Sequence, residues 1–247
     1  MQITIIGCGW LGLQLAESLI QKGNQVIGST TQEKNLERLV SAGIEPFIFS
    51  DRYNTLPENA LQSDLFVICI PPSKSLDYVK LIDHILHQLE QKKRVIFTSS
   101  TSVYLNHDGE VDEDGPINTE SVLAQSEALV LNYATNNIVL RLAGLIGPNR
   151  NPGQFTSGKT LANAQAPVNL VDGRDVVRFI ILLQEQHGSG IYNLCFPEHP
   201  RKATYYNEKC RQLNIAPPTF SDQSALGKCI RSKRVFEELA FQYWHII

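Results

Sequence analysis

The sequence predicts an α/β protein with a doubly wound parallel sheet, and three observations predict it. Short apolar runs rich in Ile, Val and Phe alternate with amphipathic helical stretches over roughly the first 140 residues. The runs lack strict apolar–polar alternation, as expected of strands covered on both faces. The first run ends in a glycine-rich turn, Gly7-Cys8-Gly9-Trp10-Leu11-Gly12, and a helical pattern follows at once.

The opening strand, 2–6, is carried by Ile3, Ile5 and Ile6 with Thr4. The turn after it has G-x-G-x-x-G spacing. Gly7 permits the tight turn, Gly9 lets backbone approach a pyrophosphate, and Gly12 lets the helix pack on the strand. Phosphates then meet the positive end of the helix dipole. Gly7, Gly9, Trp10, Leu11 and Gly12 are therefore candidate cofactor-binding residues, Trp10 through its backbone. The helix at 10–22 sets Leu11, Leu15, Leu19 and Ile20 on one face, and Gly23-Asn24 ends it. Further strands are expected at 25–28, 46–49, 65–70, 94–98 and 138–142, and helices at 32–42, 75–91 and 120–135. This is a Rossmann-type succession.

After Gly147-Pro148 the pattern changes. Residues 147–167 are rich in Gly, Pro and Asn and predict a long loop. A strand is expected at 168–171, a helix at 174–186, a strand at 190–195, a helix at 201–213, an extended segment at 228–231 and a last helix at 232–239. The expected division is a dinucleotide-binding domain at 1–148 and a smaller C-terminal substrate-side region at 149–247. The strand at 190–195 is a candidate to return to the main sheet.

With 247 residues, 43% of them hydrophobic, the chain can bury a substantial core. The net charge of −3 gives no basic excess, so neither nucleic acid nor an acidic membrane surface is an expected partner. The five cysteines are scattered and lack C-x-x-C spacing, which argues against a disulfide framework or zinc site and for a reducing cytoplasm. No signal peptide and no membrane span are expected. His84 and His87 are three apart but lack further ligands, and His107 and His187 are isolated, so no metal is expected.

The fifth strand runs into Thr98-Ser99-Ser100-Thr101-Ser102-Val103-Tyr104. Ligands of open α/β sheets bind beyond the carboxyl ends of strands, so these hydroxyls are delivered beside a bound dinucleotide. This block resembles the S-S-x-x-V-Y segment of the extended short-chain dehydrogenases/reductases, the nucleotide-sugar epimerase/dehydratase superfamily. Arg141 to Pro148 is similar to that family's R-x-x-x-x-Y-G-P segment. Val168 to Val171 with Asp175-Val176 is similar to its V-N-x-V-H-x-x-D-V segment, and Tyr192-Asn193 to its Y-N pair. The G-x-G-W-L-G start and the T-S-S-T-S-V-Y block most resemble an atypical YeeZ-like group.

The resemblance implies Ser100 as a catalytic hydroxyl, with Tyr104 a further candidate, Ser99 beside the cofactor and Thr101 beside the substrate. It also implies that Ile70, Pro71 and Pro72, at the end of the fourth strand, line the adenosine and ribose. Two departures stand out. The glycine loop is one residue shorter than the usual G-x-x-G-x-x-G and by itself fits 6-phosphogluconate-dehydrogenase-like enzymes equally well. The Tyr-x-x-x-Lys pair is missing: Thr119 and Leu123 stand at those positions. Without the lysine, a phenol of pKa ~10 is a poor base at neutral pH.

Arg150 and Lys159, in the expected loop, are candidates to bind an anionic substrate group. Strand two ends in Ser29-Thr30-Thr31 rather than in an acid, with Lys34 beyond, which favours NADP over NAD. The expected activity is NAD(P)-dependent oxidoreduction or epimerisation of a sugar-like or alcohol/carbonyl small molecule. A non-catalytic NAD(P)-binding redox sensor or scaffold is the alternative. A homodimer is a candidate assembly, through apolar residues of the helices at 75–91 (Leu76, Val79, Ile82) and 120–135 (Val122, Leu129, Val130).

Overall fold

In the computed structural model, which describes residues 1–89, 93–106, 108–186 and 188–247, a seven-stranded sheet organises the fold. The last residues of the helix expected at 75–91, and His107 and His187, lie outside the described residues. The strands are β1 (Gln2–Ile6), β2 (Gln25–Thr30), β3 (Glu45–Ile48), β4 (Leu65–Ile68), β5 (Arg94–Ser100), β6 (Ile138–Leu142) and β7 (Gly190–Leu194), in the order β7-β6-β5-β4-β1-β2-β3. β1 runs parallel to β2 and β4, β2 to β3, and β4 to β5. The winding reverses at β1, so the carboxyl ends of β1 and β4 flank the crevice where such sheets take ligands. β4 and β6 are buried along their whole length, which is why they read as continuous apolar runs.

The longer helices are α1 (Trp10–Gln21), α2 (Leu36–Ser41), α3 (Tyr78–Gln88), α4 (Val122–Tyr133), α5 (Gly173–Glu185), α6 (Lys202–Gln212) and α7 (Lys233–Leu239). The helix expected at 32–42 is split: Glu33–Asn35 form a tighter 3₁₀ turn before α2.

The apolar residues expected at a dimer interface divide between the core and the surface. Ile82 and Val130 are fully buried in the core with Phe66, Ile68 and Phe97, and Leu129 packs beside them. Leu76 and Val122 of that set are exposed. The α3–α4 pair thus covers the sheet through Ile82, Leu129 and Val130.

The chain forms two compact units, each assembled from three segments: 1–103, 118–141 and 177–191 in one, 104–117, 142–176 and 192–247 in the other. The first holds most of the sheet. The second is knitted by short parallel pairings: Leu170–Asp172 with Gly144–Ile146, Lys228–Ile230 with Gly109–Val111, and Thr219–Phe220 with Thr160–Leu161. Within the expected 147–167 loop, Pro152–Thr156 is a turn of helix. Asn151 caps it by accepting from Gly153 N–H, and Pro152 opens it, where its missing N–H costs nothing. Among the described residues no helix is long and apolar enough to cross a membrane, and no group of three His, Cys, Asp or Glu could hold a metal ion.

Candidate functional site

The loop after β1 is shaped by close approach of backbone. Gly7 has φ +106°, and a Cβ there would lie 3.0 Å from the Cys69 carbonyl at the end of β4. A Cβ on Gly12 would lie 2.3 Å from the carbonyl oxygen of Gly7. At Gly9 nothing lies within 4 Å of the Cβ position, so the loop is tight on both sides and open in the middle. Gly7 N–H donates to Ser29 Oγ and Cys8 N–H to the Ser29 carbonyl, each at 2.8 Å. These bonds tie the loop to β2. Leu13 N–H donates to the Gly9 carbonyl at 3.0 Å and begins the helical ladder. The amides of Trp10, Leu11 and Gly12 precede it in the first turn, where no intrahelical acceptor exists. Open space over Gly9, helix-end donors and a dipole aimed at them fit a diphosphate.

Around this cradle the structure refines the cofactor candidates. Ser29 is buried, and its hydroxyl braces Gly7 by accepting from the Gly7 N–H. Thr30 Oγ1 accepts from Asn35 Nδ2 at 3.3 Å and holds the following turn, while Thr31 and Lys34 are exposed. Arg38 was not expected here. It lies exposed on α2, and its charge reaches the Cys8 thiol in the glycine loop. Burial and the neighbouring Cys69 push that thiol up to about 12 against Ser29 and Arg38, and burial holds Cys69 at about 12 as well. At the end of β4 the Ile70 carbonyl accepts from Tyr78 Oη at 2.7 Å. Pro71 is exposed, and Pro72 opens a 3₁₀ turn.

Alternation along β5 divides the hydroxyl block. Thr98 Oγ1 donates to the Ile68 carbonyl at 3.1 Å. Ser99 points to the opposite face and donates to Glu127 Oε1 on α4 at 2.5 Å. Glu127 is also gripped by Arg141 of β6, whose Nη2 lies 2.8 Å from Oε2 and whose Nε donates to the same carboxylate. All three side chains are buried. Ser99 is therefore a buried tie between β5 and α4. Ser100 is half-buried, and its Oγ accepts from Ser102 N–H at 3.1 Å, leaving its own proton to donate.

Two further candidates are buried. Thr101 is 9% exposed in the 3₁₀ turn Thr101–Val103. Tyr104 is 2% exposed, and its phenol donates to Asn193 Oδ1 at 2.7 Å. That bond anchors Tyr104 to β7. The positions of the missing pair are filled inertly: Thr119 is exposed ahead of α4, and Leu123 packs on the core. In the second unit Arg150 Nε donates to the Leu145 carbonyl at 2.8 Å and its guanidinium lies over the Phe155 ring, so it braces its own loop. Lys159 is exposed. The burial of Tyr104 had no signal in the sequence. The Ser99–Glu127–Arg141 cluster had one, since adjacent strand residues must face opposite ways.

Comparisons with known proteins agree with this geometry. Residues 2–111 match the family model of the NAD binding domain of 6-phosphogluconate dehydrogenase, the stretch that contains the short glycine loop. A protein from Silicibacter pomeroyi of unknown function superposes with TM-score 0.80 at 20% identity, covering 98% of this chain and 93% of its own. A protein from Methylobacillus flagellatus assigned to the NAD-dependent epimerases/dehydratases superposes with TM-score 0.78 at 25% identity, covering 98% and 92%. UDP-glucuronic acid 4-epimerase from Bacillus cereus, in complex with NAD, superposes with TM-score 0.78 at 16% identity, covering 100% and 94%. Fold and site together define a Rossmann-type α/β protein with a nicotinamide-dinucleotide-binding domain. Protein YeeZ of Escherichia coli K12 is 37% identical over 268 aligned positions, covering 98% of this chain and 95% of YeeZ. The chain belongs to the YeeZ family.

Proposed function

We propose that this chain is an NAD(P)-dependent oxidoreductase or epimerase of the cytoplasm, acting on a sugar-like or alcohol/carbonyl small molecule, with NADP preferred. The observation that carries the reading is the juxtaposition in one unit of the open Gly9 cradle and the Ser100 hydroxyl at the end of β5. Gly7, Gly9 and Gly12 with the first-turn amides of α1 would hold the diphosphate, and Ile70 to Pro72 the adenosine ribose. Thr31, Lys34 and Arg38 supply hydroxyl and positive charge on the side of β2, where an adenosine 2′-phosphate needs them. Such a cofactor supplies hydride exchange when bound. Ser100 would donate its proton to the reacting carbonyl or alkoxide oxygen. The free state of all five cysteines suits a reducing compartment.

A second reading is favoured by a specific observation. Leu123 is packed on the core and Thr119 lies outside α4, so the helix start that carries the general base in the resembled family carries none here. The chain would then bind the dinucleotide as a redox sensor or scaffold. Calorimetry with NADPH and NADH, followed by NADPH oxidation over a panel of ketones and nucleotide sugars, separates the cases. Binding with turnover that Ser100→Ala lowers at least tenfold supports the enzyme. Binding without turnover on any member supports the sensor, and no binding of either nucleotide overturns both.

A further inference from the structure

We propose that Glu127 is a positioning residue, which through Ser99 fixes the peptide that presents Ser100. The proposal rests on the reading of Ser100 as the hydroxyl that meets the reacting oxygen. Ser99 and Ser100 are adjacent at the last two positions of β5, so their side chains leave opposite faces of the strand. Any slip of the Ser99 backbone moves Ser100 directly.

Ser99 is held unusually firmly for a serine. Its hydroxyl donates to a carboxylate at 2.5 Å, and that carboxylate is held by the Arg141 guanidinium. Each partner comes from a different element: β5, α4 and β6. The side chains of Glu127 and Arg141 are each 3% exposed, so water does not compete for these bonds. A charge-assisted bond out of water is short, strong and directional.

What lies beyond Ser99 needs such a brace. The chain leaves β5 in the tight Thr101–Val103 turn, in which the Ser102 amide bonds back to Ser100 Oγ. Farther on, Asn118 N–H donates to the Val103 carbonyl at 2.7 Å. Ser100 therefore sits between a turn closed by its own hydroxyl and a residue pinned from the opposite face. In the resembled family the tyrosine and lysine are placed at the start of the helix equivalent to α4. Here that helix start is inert, and the polar link from α4 to the end of β5 runs from its middle, through Glu127.

Ser99→Ala removes the link and leaves the Glu127–Arg141 pair in place. Ser99→Thr keeps a hydroxyl at the same position, and Glu127→Gln keeps an acceptor without its charge. Hydrogen exchange of the ligand-free protein reads the brace directly. We expect the amides of residues 100–103 to exchange about tenfold faster or more in Ser99→Ala, with the rest of the sheet unchanged and partial restoration in Ser99→Thr. Exchange at 100–103 equal to wild type in Ser99→Ala, or acceleration spread evenly over the sheet, overturns the proposal. Glu127→Gln, which keeps an acceptor but not the charge-assisted bond, should speed exchange at 100–103 by less than Ser99→Ala does, and a wild-type exchange pattern there also overturns the proposal. None of these outcomes depends on a cofactor. NADPH titration of the wild type tests the underlying reading separately, so the two can fail independently.

Discussion

Gly9 and Gly12 are three residues apart in one loop and answer to different demands. A methyl on Gly12 would sit 2.3 Å from the Gly7 carbonyl oxygen, which is backbone and cannot swing aside. Gly12→Ala should therefore cost about 3 kcal/mol or more of stability, measured by urea unfolding. A methyl on Gly9 meets nothing within 4 Å, so its cost is confined to a backbone of φ −78° and ψ −148°, outside the ordinary α and β regions. Gly9→Ala should cost about 1 kcal/mol in urea unfolding, less than Gly12→Ala. It should nonetheless weaken NADPH binding in calorimetry by about tenfold or more, because the methyl fills the space a diphosphate needs. If Gly9→Ala binds like wild type, the diphosphate does not lie over this loop. Glu127 is a third residue with a sharp expectation. Glu127→Ala would leave Arg141 as a buried cation robbed of its carboxylate, at a cost of about 3–5 kcal/mol.

At the scale of elements, the start of α5 carries a pH dependence. Burial raises the Asp172 carboxyl, but the Arg174 side chain and amide outweigh burial and hold it below the usual carboxylate range. A depressed acid contributes stability above its unfolded value of about 3.9 and loses it as pH falls through the lower folded value. Arg174→Ala should thus be less stable than wild type at neutral pH, and the gap should close below about pH 4. Urea midpoints measured across pH 2–8 would show it, and a gap constant with pH would reject the assignment. The elements also show what a sequence discloses. The apolar runs of the main sheet and the helices that cover it are legible because burial on both faces leaves a continuous pattern. Pairings of two or three residues, such as Thr160–Leu161 with Thr219–Phe220, are too short to show any period. The turn of helix at Pro152–Thr156 hides among Gly and Pro, although Asn151 and Pro152 are a cap and a first-turn residue. The glycine cradle was readable from spacing. The fate of Tyr104 was not, because it depends on a partner 89 positions away.

For the molecule as a whole, the residues assigned to the cofactor share one property: the glycine loop, the β2 end with Arg38, the β4 end and Ser100 all fall within residues 1–103, a single segment of one compact unit. A ligand held by one unit stabilises it by mass action, about 2.7 kcal/mol at a hundredfold excess over Kd. For a chain of this size, at about 2–4 °C per kcal/mol, that corresponds to a midpoint rise of roughly 5–11 °C. NADPH should give that rise and NADH less. The difference should reside in Arg38, whose charge reaches the glycine loop at Cys8. Arg38→Ala should then bring the NADPH shift down to the NADH shift while leaving the NADH shift unchanged. A variant that lowers both shifts equally would place Arg38 on the diphosphate instead, and one that lowers neither would remove the structural ground for preferring NADP.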